Sequence, residues 1–332
     1  MTAVLESLTR SRDAVTPALQ AAVARLDPTS RALASYHLGW TDADGNPTTG
    51  SGGKAVRPAL ALLSAEAAGA PAGVGLPGAV AVELVHNFSL IHDDLMDGDT
   101  ERRHRRTVWA VWGSSSAILV GDAMLALAQE VLLENEVGGP AAGRLLATAT
   151  RELIRGQYAD LAFERRSDVT LTECLEMVAG KTGALLSASA AIGAILAGAA
   201  QSTVDRLAGF GAHLGIAFQL IDDLLGIWGD PAVTGKSVFS DLRSRKKSLP
   251  VTYAVQYGGA AGQELAEWLA TTDADTDLRR AADLVQAGGG RDWAAAEARR
   301  RLAQGEELLH DLPVRPRDEL IALSQFIVTR EA

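Results

Sequence analysis

The sequence predicts an all-α protein, and three observations carry that expectation. Ala and Leu are the commonest of its 332 residues and Arg and Glu are plentiful, and these side chains lose little freedom in a helix. Strict apolar/polar alternation of the strand type is hard to find. Long apolar-rich stretches are each closed by glycine or proline punctuation.

Taken in order, the first helix is expected over Thr2–Leu26. The turn-rich run DADGNPTTGSGG ends just before Lys54, which places the second over Ala55–Ala68. GAPAGVG separates that helix from Gly78–Asp97, and Gly138–Gly139 divides Ser115–Asn135 from Ala141–Phe163. Leu171–Ala199 and Ser202–Gly229 follow and stop at GDPAVTG around Pro231. Gly262–Thr271 and Thr276–Gln286 precede Gly288–Gly290, and Trp293–Leu309 and Arg317–Arg330 complete the set. No stretch reads as a long flexible linker, so residues 1–332 are expected to form one domain. Gly78–Ile91 and Thr182–Ala200 are apolar almost all round, as helices in the middle of a large assembly are.

Apolar residues make up 47% and charged residues 22%, the balance of a globular chain and not of a disordered one. With 41 acidic against 31 basic residues, the net charge is −10. Such a surface repels nucleic acid, so any anion must enter a local basic pocket. The single cysteine, Cys174, excludes an internal disulfide and a cysteine-rich metal site, and fits a reducing cytoplasm. The N-terminal MTAVLESLTRSRD carries Glu6 and no apolar core, unlike a signal peptide. Thr182–Val204 is uncharged and long enough for a membrane. Its Ala, Gly and Ser content is only weakly apolar, so a closely packed soluble helix is expected there and no membrane span.

Chemistry gathers at the helix ends. In SLIHDDLMDGD, Asp93 and Asp97 are four apart and share a helix face, with Asp94 about 100° round. Carboxylates this close repel by roughly 1 to 4 kcal/mol per pair, unless a cation sits between them. Hard oxygen ligands on a short arc suit Mg²⁺, which shares phosphate oxygens and keeps waters. FQLIDDLLGIWGD repeats the pattern with Asp222 and Asp223. Basic residues lie close in sequence: Lys54 and Arg57, then Arg102, Arg103, Arg105 and Arg106, Lys181, Lys236 and the RSRKK run from Arg243 to Lys247. Each alone reads equally well as a solvated surface run. Together with Mg²⁺-binding acids they imply an anion with many oxygens, of which diphosphate is the obvious one. GDPAVTGKS is not a Walker loop, because Gly229 and Gly235 enclose five residues where that motif has four.

From about Gly52 to Pro250 these residues resemble the trans-isoprenyl diphosphate synthases, or polyprenyl synthetases. The stations stand in family order: GGKAVRP, ELVHNFSLIHDDLMD, an Arg pair, GQYAD, KTG, FQLIDDLLG, GK, SDL and KKSLP. The resemblance implies an isoprenoid-synthase-type helical bundle around a central cavity, usually a homodimer, using Mg²⁺. It implies that Asp93, Asp94 and Asp97, with Asp222 and Asp223, bind metal and the allylic diphosphate. Arg102, Lys181, Thr182, Gln219 and Lys236 look like allylic-diphosphate contacts, and Lys246 matches the basic substrate-binding residue that the family carries on the loop after the second motif. Lys54, Arg57, His86 and Arg103 resemble the isopentenyl diphosphate site, although His86 also reads as a satisfied core histidine. Asp93, Asp97, Lys181 and Asp222 are the expected catalytic groups.

Two departures stand out. Gly226 replaces the third aspartate of the second motif, and His104 follows the Arg pair where the family usually has glycine. Metal contact is expected chiefly through the first aspartate of the second motif, so activity is expected to survive. Phe88 with small Ser89, and no insertion in the first motif, resembles geranylgeranyl diphosphate synthases, with farnesyl diphosphate the second expected product and longer chains the third. A class I terpene cyclase would need an Asn/Ser/Glu metal motif that is not found. A phosphohydrolase would need further spaced histidines, and an inactive partner subunit would have no use for both acidic pairs.

Overall fold

The computed structural model describes residues 2–48, 55–230, 238–270 and 277–328. Apart from one two-stranded hairpin and an isolated bridge, the regular elements among them are helical. The contacts divide the chain into two compact units, each assembled from separate stretches of sequence.

The first unit holds residues 1–148, 188–208 and 311–320. It contains α1 (Thr2–Val23), α2 (Pro28–His37), α3 (Val56–Ala67), α4 (Leu76–Met96), the hairpin β1 (Glu101–Arg102) and β2 (Arg105–Arg106), α5 (Val108–Trp112) and α6 (Ser114–Leu133). Helix α4 is its centre and packs on α6, α3 and α1. Its apolar stretch is buried nearly throughout: Val82, Leu84 and Val85 are fully covered. Small residues permit this closeness. A Cβ at Gly193 would lie 2.0 Å from the Ala61 carbonyl oxygen, and one at Gly78 would meet Ile192 at 2.8 Å. That is why the uncharged Thr182–Val204 stretch is poor in large side chains.

Helix α7 (Gly139–Glu164) begins in the first unit and ends in the second, which holds residues 149–187, 209–310 and 321–332. There follow α8 (Leu171–Val178), one wide π-helical turn (Ala179–Gly183), α9 (Ala184–Leu196) and α10 (Gln201–Trp228). The rest is α11 (Ser240–Arg243), α12 (Leu249–Tyr257), α13 (Gly259–Ala270), α14 (Leu278–Ala287), α15 (Gly290–Glu307) and α16 (Val314–Val328). Thr170 and Glu173 form a reciprocal capping box that starts α8. Ile227, Leu242, Val251, Ala254, Leu265 and Val285 form one apolar core that ties the end of α10 to α11–α14.

Four stretches, 72–96, 114–133, 171–196 and 201–228, are long and apolar enough to cross a membrane by length and composition. In three of them most of the apolar window is covered by the protein itself, whereas only 39% of the 114–133 window is. Several expected boundaries shift. Residues 171–199 are interrupted by the π turn, and α2, α5, α11 and α12 are additional helices. The expected ends at Thr271, Thr276 and Arg330 lie outside the described residues.

Candidate active site

In the first unit, α4 stays apolar to Ile91 and then presents Asp93 and Asp94, with Asp97 as its C-terminal cap. Helical rotation separates the three: Asp94 points inward and is buried, Asp93 is half-buried and Asp97 is exposed. The Arg102 Nε donates to Asp94 Oδ1 at 2.7 Å, while the buried Asp94 Oδ2 has no hydrogen-bond partner. Burial pushes the Asp94 carboxyl up to about 6, against the pull of Arg102.

Arg102 is carried by the hairpin, whose turn residues Arg103 and His104 both have left-handed backbones, φ 53° and 61°. That region costs a non-glycine residue roughly 1 to 2 kcal/mol, so His104 is strained where the family pattern has glycine. The hairpin is braced instead. Arg105 Nη2 donates to the Thr41 carbonyl at 2.6 Å and its guanidinium lies 4.3 Å over the Tyr36 ring. The Tyr36 hydroxyl donates to the Arg106 carbonyl at 2.7 Å. The extra basic residue Arg105 is therefore a strut.

Beside the hairpin lies a cationic group built on α3 and α4. Arg57, on the first turn of α3, is half-buried, and its Nε is covered and unpartnered. Glu83 is the compensating acid that sequence reasoning missed. It is close enough to support the charge on Arg57, and the Asn87 side-chain amide donates to its Oε1 at 3.1 Å. His86 is held well below its ordinary value by burial and then by Arg57, Arg103 and Arg102. It stays neutral in this array. Arg57, His86 and Arg103 are thus brought together as expected. Lys54 lies outside the described residues.

His37, at the end of α2, was also missed. Burial, then Arg102 and Arg103, lower it to about 3. A histidine whose folded value lies below its unfolded one contributes stability above the unfolded value, lost as pH falls through it. Between pH 7.5 and pH 5 the chain should therefore lose about 1–2 kcal/mol through His37 alone. Urea unfolding of wild type and His37→Gln at both pH values checks this. Equal losses in the two proteins would remove His37 from the account.

In the second unit the Asp pair sits inside the last two turns of α10, before its end. Asp222 is exposed and Asp223 buried. Thr182 Oγ1 donates to Gln219 Oε1 at 2.9 Å, Gln219 Nε2 to Asp223 Oδ1 at 2.8 Å, and the Leu249 N–H to Asp223 Oδ2 at 2.9 Å. Asp223 is therefore an internal anchor joining α10 to the start of α12. Burial raises its carboxyl to about 6, with Lys246 opposing. Burial also works against charge on Lys246, but Asp223, Asp241, Asp160 and Asp222 outweigh it and raise the group.

Asp160, Lys181, Thr182, Gln219, Asp223 and Lys246 line a small cleft that opens to solvent. Asp160, from GQYAD, accepts from the Lys181 ammonium at 2.5 Å. Cys174 also lines it, but burial lifts its thiol to about 11 and it bonds to the Lys247 carbonyl, so it is no nucleophile. The π turn that carries Lys181 and Thr182 packs backbone against backbone on α7, through Gly156 and Gly180. Lys236 lies outside the described residues.

Among the described residues no three His, Cys, Asp or Glu side chains group closely enough to hold a cation alone. The donor set nevertheless fits Mg²⁺ shared with a phosphate ligand: hard carboxylates, one of them with a buried, unpartnered oxygen. In the described structure Asp94 and Asp223 are committed to protein partners, while Asp97 and Asp222 are exposed. Phe88 and Ser89 are both buried, Ser89 Oγ donating to the His86 carbonyl and Phe88 packing edge-on against His92.

The polyprenyl synthetase family model matches residues 41–285. The (2E,6E)-farnesyl diphosphate synthase of Mycobacterium tuberculosis H37Rv is 56% identical over 97% of this chain and 92% of its own length. The geranylgeranyl diphosphate synthase of the same organism is 44% identical over 98% and 93%. A polyprenyl synthetase structure from Streptomyces coelicolor A3(2) superposes with a TM-score of 0.94, at 55% identity, over 98% of this chain and 99% of that one.

Proposed function

This chain is a member of the polyprenyl synthetase family, a polyprenyl diphosphate synthase with the all-α isoprenoid-synthase fold, and on that premise we propose that it makes farnesyl diphosphate. It condenses isopentenyl diphosphate with dimethylallyl and then geranyl diphosphate, residues 1–332 acting as one catalytic domain. The observation that carries the product is the comparison within one organism: 56% identity to the farnesyl enzyme against 44% to the geranylgeranyl enzyme. Geranylgeranyl diphosphate is the second reading, favoured by the small Ser89 one turn before Asp93.

In this reading Arg57, His86 and Arg103, with Lys54, hold the diphosphate of the homoallylic substrate. Lys181, Thr182, Gln219 and Lys246, with Arg102 and Lys236, hold that of the allylic one. Asp93, Asp97 and Asp222, with the unpartnered Oδ2 of Asp94, would hold Mg²⁺, which supplies charge neutralisation to the leaving diphosphate. As the allylic C–O bond breaks, negative charge grows on that diphosphate, and Lys181 and Lys246 would stabilise it there. The isopentenyl double bond then forms the new C–C bond, and a proton passes to the released diphosphate. Asp160 is the group that holds Lys181 until substrate arrives. Apolar helices ending at the acids keep water from the cation. We further infer a soluble, cytoplasmic homodimer that binds no nucleic acid. Support for the second copy comes from α6, whose Ile118, Leu119 and Leu133 are exposed, Leu119 to 66%.

The test is a product assay with isopentenyl diphosphate and dimethylallyl, geranyl or farnesyl diphosphate, with Mg²⁺ or EDTA, read by mass spectrometry. Farnesyl diphosphate should accumulate and should not itself be extended, and EDTA should stop turnover. Extension of farnesyl diphosphate would overturn the product in favour of the second reading. In the same assay Ser89→Phe should shift the product toward geranyl diphosphate, and an unaltered product would take Ser89 off the path of the growing tail.

A further inference from the structure

Ser248 stands at the start of α12 and does not do what a serine there usually does. A serine at this position accepts a backbone N–H from the second or third residue of its helix. Here the second residue is Pro250, which has no N–H, and Ser248 makes no capping bond. The N–H of the first residue, Leu249, is taken by Asp223 Oδ2 at 2.9 Å. The serine side chain is therefore released from its own helix. It is also only 2% exposed, and its covered hydroxyl has no hydrogen-bond partner. A buried, uncommitted hydroxyl is costly, and folded chains keep few of them.

The surroundings indicate what that hydroxyl is kept for. Ser248 lines the same cleft as Lys181, Thr182, Gln219 and Lys246. The neutral groups beside it are committed: Thr182 donates to Gln219, Gln219 donates to Asp223, and the Cys174 thiol bonds to the Lys247 carbonyl. Asp223 has both oxygens occupied, by Gln219 and by the Leu249 N–H. Lysines gathered in one cleft make an anion the ligand class, and a hydroxyl beside them adds a donor without adding charge. We propose that Ser248 is a further substrate-binding residue, its hydroxyl donating to a phosphate oxygen of the allylic diphosphate. This rests on the reading of the cleft as the allylic-diphosphate site, and it gives Asp223 a second effect. By taking the Leu249 N–H, Asp223 serves the start of α12 and leaves Ser248 to the ligand.

The experiment compares wild type with Ser248→Ala, Ser248→Thr and Ser248→Val. It reads the calorimetric Kd for inorganic pyrophosphate with Mg²⁺, KM for each substrate, and the thermal midpoint. Ser248→Ala should raise pyrophosphate Kd and allylic KM about tenfold, the scale of one hydrogen bond to a charged group, with isopentenyl KM unchanged. Its thermal midpoint should equal or exceed that of wild type, because no hydrogen bond of the folded chain is lost and an unpartnered hydroxyl is removed. A serine serving only as a cap would do the reverse, lowering the midpoint and leaving Kd alone. Ser248→Thr should bind as wild type does. If its extra methyl group disturbs the site, Ser248→Thr against Ser248→Val isolates the hydroxyl, because the two side chains share one shape. An unchanged Kd in Ser248→Ala, as for a hydroxyl that holds only water, would overturn the proposal. So would equal Kd values for Ser248→Thr and Ser248→Val, or a wild type that does not bind pyrophosphate. Binding without any elongated product from wild type would instead defeat the functional reading, and the Kd ratios would still decide the role of Ser248.

Discussion

Asp222→Ala is expected to cut turnover sharply in a protein that still folds, whereas Asp223→Ala is expected to damage the fold first. The two residues are adjacent in sequence and alike in chemistry, so the difference comes from helical rotation. Position 222 faces outward from α10, and its carboxylate is exposed. Position 223, about 100° round, faces inward and accepts from Gln219 and from the Leu249 N–H. Removing it leaves that backbone donor and the Gln219 amide without their acceptor and takes one of the supporting acids from Lys246. Breaking a buried, hydrogen-bonded charge in this way costs about 3–5 kcal/mol, a large part of the stability of an ordinary domain. Removing Asp222 should leave the thermal midpoint within a degree or two, while kcat falls on the order of a hundredfold to a thousandfold, as when one preorganised charge contact is deleted. Circular-dichroism melts and steady-state kinetics on both proteins check the pair. Equal midpoints for the two variants would dissolve the distinction.

That division of labour was only half legible in the sequence. In the second motif the first aspartate, Asp222, is the exposed one and Asp223 the buried one, a difference that the pair of letters does not carry. For the first motif the spacing said that Asp93 and Asp97 share a face, and it left Asp94 on another. What spacing could not supply was the partner, because Arg102 reaches Asp94 from a hairpin whose two-residue strands are too short to alternate. Glu83 was invisible for a similar reason: a single acid in an apolar helix acquires its role from Arg57 on another helix.

The helices legible in the sequence were the long ones with punctuation at both ends. The missed ones were short or carried misleading side chains. Asp27 caps α2 through its side chain, with Pro28 at the first turn, a start signal that was present and unread. Helix α12 contains Val251, Thr252, Tyr253 and Val255, residues of modest helix propensity. It is helical because Leu249, Val251 and Ala254 are buried together, so packing overrides propensity there. The two product readings show the limit of a local motif. Phe88 and Ser89 pointed to geranylgeranyl diphosphate, whereas identity over the whole chain is higher to a farnesyl enzyme. Tail length depends on everything that lines its path, and two residues at its start report little of that.

Gly156→Ala should be a strongly damaging single-methyl change in the second unit, and it explains why GQYAD and KTG belong to one device. A Cβ at Gly156 would lie 2.2 Å from the Lys181 amide nitrogen, 2.8 Å from its Cα and 2.8 Å from the Met177 carbonyl oxygen. All three are backbone atoms, so no rotamer change relieves the clash; α7 must move away from the π turn that carries Lys181 and Thr182. Gly180 approaches from the other side, where a Cβ would meet the Glu152 carbonyl oxygen at 2.7 Å. Alanine in a helix gains roughly 1 kcal/mol over glycine, but overpacking typically costs about 1–3 kcal/mol, and against three backbone atoms that cannot turn away the upper end applies, so the net sign is destabilising. Gly183 is the control. Its Cβ would find only ordinary contacts, 3.7 Å from the Val178 and 3.8 Å from the Ala212 carbonyl oxygens, and Gly183→Ala should be neutral or slightly stabilising. Urea unfolding of both variants reads the sign directly, and allylic KM should rise in Gly156→Ala because Lys181 moves with its turn. A Gly156→Ala protein as stable as Gly183→Ala, with unchanged KM, would mean that the turn is not held by this contact and that Lys181 owes its place to Asp160 alone.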